Sequence, residues 1–222
     1  MSKLHIRTTE LSDIDPLLKL QKEIYPTISP WQRDQLVNQL EVFPQGQLAA
    51  VLNGRIVGCA SSFVILWDEW ADVHSWSEIT AAGTFDTHNT AGLTLYGAEV
   101  FVDPRLRGMR VGHKLYGGRR QLCKSLNLKR IMACGRLPGY QAYSKQMSVE
   151  QYAKKVLWGD FFDPVFSFQL REGFRYCGIM YDYIPEDDDS SGHAALIVWL
   201  NDKYDPSKKT GLQLDTNELK GL

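Results

Sequence analysis

No stretch of this 222-residue chain stays apolar for the ~20 residues a membrane-spanning helix needs. The longest apolar segment, residues 55–67, is short and is broken by Gly58, Ser61 and Ser62. The N-terminal residues run straight into mixed sequence, so neither a signal peptide nor a membrane anchor is expected, and a cytoplasmic protein is. Charge of one sign is also scarce. The 25 lysines and arginines nearly balance 26 aspartates and glutamates, leaving −1, whereas coating nucleic acid requires a basic excess. Cysteine is thinly spread: Cys59, Cys123, Cys134 and Cys177 have neither the spacing of a disulfide framework nor that of a zinc site. The five histidines are scattered, so reduced thiols and no metal are expected. Internal repeats and low-complexity tracts are absent as well.

What remains is an ordinary globular composition, 44% hydrophobic and 23% charged, sufficient for one domain over residues 1–200. Residues 201–222 are polar and read as a loosely held tail. Residues 4–8 form a short strand pattern, and 13–25 space their apolar residues as an amphipathic helix does. Ser29-Pro30-Trp31-Gln32 has the residue types of a capping box and opens a second helix to about Val42. Asn53-Gly54 between residues 47–52 and 55–67 is a hairpin signal, because a type I′ turn needs positive φ at both central positions. Residues 68–91 form a long excursion with one short helix near 77–82. Strand 93–102, helix 110–126 and strand 129–134 follow, then a helix opened by Ser148. A short helix over 164–171 precedes strands 174–183 and 194–199. The order β-α-α-β-β-β-α-β-α-β-β indicates a mixed α/β domain on one sheet.

The chemically informative run is Glu99 to Gly112. A strand ends before Pro104; a basic turn containing Gly108 follows, and then an amphipathic helix. A helix N-terminus offers unpaired N–H groups and the positive end of the helix dipole, which suits an anion such as a phosphate. Arg105, Arg107, Arg110, His113 and Lys114 add positive charge, opposed only by Asp103. A strand–turn–helix connection with solvated arginines accounts for the same residues equally well.

Val102-Asp103-Pro104 followed by Arg107-Gly108-Met109-Arg110-Val111-Gly112 resembles the acetyl-CoA motif of the GNAT N-acetyltransferase superfamily, Q/R-x-x-G-x-G/A after a strand ending V-x-P. Arg107 and Gly112 match its ends. Arg110 stands where the central glycine belongs, so the backbone there is expected to do without a positive φ or to shift. Leu95-Tyr96-Gly97 and Gly135-Arg136-Leu137-Pro138-Gly139-Tyr140 are similar to the GNAT domain found fused to nitrilase-like carbon-nitrogen hydrolases, here in a freestanding form. The resemblance implies a GNAT-like, mostly antiparallel mixed sheet flanked by helices. It further implies transfer of an acetyl group from acetyl-CoA to an amine, a small molecule or a lysine side chain, by direct attack in a ternary complex. Neither a metal nor nucleic acid takes part, and a homodimer is compatible with it. The alternative is a non-catalytic acyl-CoA-binding regulatory module.

On that resemblance, main-chain groups of Val100, Phe101 and Val102 pair with the pantetheine arm. The amides of Arg107, Gly108, Met109, Arg110, Val111 and Gly112 cradle the pyrophosphate. Glu99 is the candidate general base; a carboxylate that pairs with an arginine or holds the substrate cation is the equal alternative. The family's usual tyrosine acid falls at Gln169, and an amide delivers no proton. Tyr140, with Tyr143 beside it, is the nearest replacement, although buried tyrosines more often simply pack; otherwise the thiolate leaves unassisted. Trp67, Trp70, Trp76 and Tyr140 are expected to wall an acceptor pocket, with Asp68, Glu69 and Glu78 attracting a cation, unless they only cover the sheet and face water.

Overall fold

The computed structural model describes residues 4–26, 28 and 30–212. The strands are β1 (Leu4–Thr8), β2 (Gln47–Leu52), β3 (Arg55–Ile65), β4 (Thr94–Val102), β5 (Arg130–Arg136), β6 (Arg175–Met180) and β7 (Ala194–Leu200). The helices are α1 (Ile14–Ile24), α2 (Arg33–Val42), α3 (Trp76–Ile79), α4 (Val111–Ser125), α5 (Val149–Trp158) and α6 (Phe166–Arg171). This is the expected order, with α3 and α6 where short helices were read. The strands form one sheet in the order β1-β2-β3-β4-β5-β7-β6. Every neighbouring pair is antiparallel except β4 and β5. Asn53 and Gly54 adopt φ of 51° and 77°, the two positive values the β2–β3 turn requires.

Helices cover both faces, so β3 and β4 send alternate side chains into different cores. Phe101 packs with Ile14, Leu17 and Trp31 beneath α1 and α2. Val100 and Val102 face the other way, against Val111 and Leu115 of α4. The largest core lies around β4, β5 and β7, where Tyr96, Ile131 and Ile197 meet Phe166 of α6 and Tyr152 of α5.

Three details differ from the sequence reading. The helix expected to open at Ser29 starts at Arg33, with the Gln32 amide donating to Gln35 Oε1 at 2.6 Å; Ser29 itself lies outside the described residues. In the excursion 68–91 the short helix read near 77–82 spans Trp76–Ile79, and the turn after it is held in place. Amide side chains of α2 stitch it down: Gln35 Nε2 donates to the Ala82 carbonyl at 2.6 Å and Gln39 Nε2 to that of Gly83 at 2.7 Å. Residues 201–212 are tied rather than loose, since Asn201 Nδ2 donates to the Leu128 carbonyl at 2.7 Å and the Gly211 amide to Leu126 at 3.0 Å. Residues 213–222 of the expected tail lie outside the described residues. No helix among the described residues is long and apolar enough to cross a membrane.

Asp163 joins the turn after β5, helix α5 and the start of α6. Fully buried, it accepts from the amides of Gly139 (3.0 Å), Val165 (3.0 Å) and Phe166 (2.9 Å) and from the Tyr152 hydroxyl (3.0 Å). Asp163→Ala leaves four donors without their acceptor, two of them in fully buried bonds, and is expected to lower the unfolding free energy by ~3 kcal/mol. Urea unfolding measures this; a loss under ~1 kcal/mol would mean that water replaces those bonds freely.

Candidate active site

At the end of β4 the chain turns through Pro104–Leu106 and enters α4. Asp103 organises the turn, its carboxylate accepting from the Arg105 amide at 3.0 Å and from Arg105 Nε at 2.7 Å. The Arg105 guanidinium holds the Asp103 carboxyl below its ordinary range. Arg105 also lies 3.5 Å from Glu23, so it is already neutralised and adds little to the loop's potential. His113 is likewise engaged, by Glu172 at 2.9 Å. Arg107, Arg110 and Lys114 are in no ion pair among the described residues.

Gly108 has φ of 86° and Arg110 φ of 57°. The sequence reading leaves Arg110 either without a positive φ or with a shifted backbone. Instead it keeps the left-handed conformation that the missing glycine would have adopted, as the N-cap of α4. The first α4 amide to find a carbonyl is that of Lys114, 3.1 Å from the Arg110 oxygen; the N–H groups of Val111, Gly112 and His113, at the head of the helix, have no acceptor among the described residues. Gly112 serves packing as well, since a Cβ there would lie 3.1 Å from Phe168 Cζ of α6.

Behind this loop the sheet opens. β4 and β5 pair only from Thr94↔Arg130 to Gly97↔Ala133. β4 stays paired with β3 as far as Val102↔Gly58, but its register jumps from Ser62↔Gly97 to Ser61↔Glu99, leaving Ala98 as a bulge. The edge of β4 from Glu99 to Val102 therefore has no strand on its β5 side. Arg119 of α4, 2% exposed, pins the bulge: Nη2 donates to the carbonyls of Ser61 (3.1 Å) and Glu99 (2.6 Å), and Nε to Ser62 Oγ (2.8 Å).

The opening is a cleft of about 430 Å³. Its floor includes Glu99, Arg119, Tyr116 and Gln169; Tyr25 and Trp76 stand among its walls. Glu99 is half-buried, with Oε1 accepting from the Val100 amide at 2.9 Å. Burial raises its pKa, while the Val100 amide, Arg136 and Arg119 act in the opposite direction. Arg136 is paired with Asp187 through Nε at 2.6 Å and faces the Tyr25 ring.

Glu99 and Val100 line this cleft, whereas Phe101, Val102 and the loop 107–112 do not; Arg110 lines a separate surface cavity with Ile6, His113, Lys114 and Gly117. Nor does the structure bring Tyr140 to the cleft. That residue is buried between Tyr152 and His193, and its hydroxyl donates to the Met147 carbonyl at 3.2 Å, the packing alternative. Tyr143 stacks on Phe161. Of the expected wall only Trp76 reaches the cleft; Trp67 and Trp70 pack around His74, and Glu78 caps α3 through Ser75. Asp68 and Glu69 stay outside the cleft. The other wall comes from Gln21, Tyr25 and Trp31, which the sequence pattern did not single out. Arg119 left a signal that was missed: it is a charged residue inside the apolar stripe Val111, Leu115, Leu122. No group of three or more metal-ligating side chains occurs among the described residues.

Comparison with known proteins gives four similarities. Residues 14–145 match the family model described as acetyltransferase (GNAT) family. Among curated proteins, the chain is 42% identical over 206 residues to the probable hydrolase YhcX of Bacillus subtilis, covering 93% of this chain but only 40% of that protein. It is 33% identical over 205 residues to the uncharacterized N-acetyltransferase YkwB of the same organism, covering 90% of each. Among solved structures, the GphF GNAT-like decarboxylase in complex with isobutyryl-CoA superposes with a TM-score of 0.76 at 24% identity, over 89% of this chain and 99% of that one.

The left-handed Arg110 generates a prediction of its own. A non-glycine residue in that region costs ~1–2 kcal/mol, partly offset by the ~0.5–1 kcal/mol of extra chain entropy that glycine loses on folding. Arg110→Gly is therefore expected to raise the unfolding free energy by up to ~1 kcal/mol. A fall instead, in chemical denaturation, would mean that the arginine side chain stabilises the turn by more than its backbone strain.

Proposed function

The chain belongs to the acetyltransferase (GNAT) family, and on that footing we propose that it transfers an acetyl group from acetyl-CoA to an amine by direct attack in a ternary complex. The observation that supports this most is the succession of two features along the chain. A helix N-terminus whose Val111, Gly112 and His113 amides have no acceptor among the described residues lies beyond the end of a strand whose far edge has no strand partner from Glu99 to Val102.

In this reading the main chain of Arg107, Gly108, Met109, Arg110, Val111 and Gly112 holds the diphosphate, because N–H dipoles there meet anionic oxygens. Arg107, Arg110 and Lys114 add charge. The pantetheine arm lies along Val100, Phe101 and Val102 like an added strand, satisfying main-chain groups that would otherwise be costly to bury. Its thioester then ends near Glu99. An alkylamine with a pKa of ~10.4 arrives mostly as a cation and must lose a proton before it attacks. Glu99 takes that proton, directly or through a water, and burial raises its pKa toward the range in which a base works best at neutral pH.

A second reading rests on the superposition with the GphF decarboxylase and on the two arginines, Arg119 and Arg136, that line the cleft. Here a carboxyacyl-CoA would lose carbon dioxide without any amine. The two readings separate in one assay. Acetyl-CoA with a panel of primary amines should release free thiol if the chain is an N-acetyltransferase, whereas malonyl-CoA alone should yield acetyl-CoA if it is a decarboxylase. Acetyl-CoA binding with neither outcome would leave a non-catalytic acyl-CoA-binding module.

Two variants test the placement. Gly112→Glu puts a carboxylate among the phosphate-binding amides and against Phe168, and is expected to abolish acetyl-CoA binding measured by calorimetry. Retained affinity would move the diphosphate elsewhere. Glu99 titrates above the ordinary carboxylate range, so wild-type kcat/KM should fall as pH drops through that raised pKa. Glu99→Gln is expected to remove this acid limb and to lose rate most at neutral pH, recovering as pH approaches the amine pKa. An equal loss at every pH would mean that Glu99 positions the acceptor instead.

A further inference from the structure

Gln169 occupies the position where the family resemblance calls for a tyrosine, yet the cleft contains a phenol beside it. Tyr116 is fully buried on α4, lines the cleft, and its oxygen lies 3.2 Å from Gln169 Nε2. Gln169 donates in that bond, so the Tyr116 O–H proton has no acceptor among the described residues. Gln169 Oε1 is buried with no partner either. If the amide is turned round, the hydroxyl donates to it and an N–H is left unmet; in both orientations one buried polar group of this pair has no partner among the described residues.

Two glycines make room for the arrangement. A Cβ at Gly135 of β5 would lie 2.0 Å from Gln169 Oε1, and one at Gly97 of β4 would lie 2.8 Å from Arg119 Nη1. These are the glycines of the Tyr96-Gly97 and Gly135-Arg136 segments. Both border the point where β4 and β5 separate, so Tyr116, Gln169 and Arg119 converge at the apex of the cleft. A buried polar group left unmet is costly, and the Gln169 amide oxygen is one such group, close to where the open edge of β4 begins.

We propose that Tyr116 is the proton donor to the departing thiolate, a catalytic residue supplied by α4 in place of α6, with Gln169 as the positioning residue that orients its hydroxyl. This rests on the acetyl-transfer reading. The amine nitrogen bonds to the thioester carbonyl carbon; the C–S bond breaks and sulfur leaves with the electron pair. The Tyr116 proton passes to sulfur, giving the thiol of CoA. The phenolate regains a proton from solvent through the cleft, and the surplus protons of the amine leave by way of Glu99. The charged groups that bear on the hydroxyl are Arg119 on the same helix, Glu172 after α6 and Glu99 on β4. Burial raises the Tyr116 pKa, while Arg119, 5.4 Å from the ring centre, acts the other way and favours the transient phenolate.

The test uses Tyr116→Phe in the full chain, with its fold checked by urea unfolding. Two readouts are taken. The first titrates the thiol of bound CoA by thiolate absorbance and needs no acceptor. A phenol donating to sulfur stabilises the thiolate, so the variant should raise the pKa of the bound thiol by about one unit, a tenfold change in its ionisation. The second is thiol release from acetyl-CoA with the amine panel, where kcat should fall ~100-fold with KM for acetyl-CoA altered less than about twofold. Should Tyr116→Phe fail to fold, Gln169→Leu carries the test and should move the thiol pKa in the same direction. An unchanged bound-thiol pKa in a folded variant overturns the proposal even if the wild type acetylates no amine in the panel. Failure of wild-type protein to bind CoA overturns the cofactor reading, and this proposal with it.

Discussion

The separation of β4 from β5 after four paired residues is the constraint on which the rest depends. Parallel neighbours joined by a crossover helix normally pair along their length, and unpaired main-chain groups in a protein interior are expensive. Here three features hold the strands apart. The bulge at Ala98 twists β4 away, Arg119 engages the two carbonyls freed at the bulge, and Gly97 and Gly135 leave room at the apex for the side chains beneath. Removing any one of them would let the edges approach. The pocket is thus a property of the sheet rather than of a mobile loop laid over it.

The same arrangement sets the electrostatics. Arg119 is buried without a carboxylate in contact, held by carbonyl and hydroxyl oxygens. Glu99 is half-buried nearby, its acid rather than its base form favoured by burial. A cation and a carboxylate so placed stabilise each other incompletely, which suits a site where charge must move during a reaction. The loop before α4 stores strain of another kind, in the left-handed Arg110.

Much of this was legible in the sequence. Period-2 and period-3.6 patterns located the strands and long helices, and Asn53-Gly54 marked its turn because only a few residue types accept the φ values found there. The motif around Gly112 pointed to a helix N-terminus, and the helix is there. Tyr140, Trp67 and Trp70 were drawn to the cleft by proximity in sequence to loops, but packing decides where an aromatic goes, and these three bury themselves elsewhere. Tyr25 and Trp31 line the cleft because α1 and α2 fold over β3, a long-range outcome that local pattern does not encode. Gly97 and Gly135 stand out in the sequence only as parts of the family-like segments Leu95-Tyr96-Gly97 and Gly135-Arg136-Leu137-Pro138-Gly139-Tyr140; their purpose, clearance for Arg119 and Gln169, is visible only from the three-dimensional neighbours.

The central claim is that a diphosphate sits on the first amides of α4 while the attached arm runs along the open edge of β4. Amide hydrogen exchange followed by NMR, with and without saturating CoA, addresses both halves at once. The account requires slowed exchange at Val111, Gly112 and His113 together with Val100 to Val102. Protection confined to other surfaces, with those amides unchanged, would contradict it.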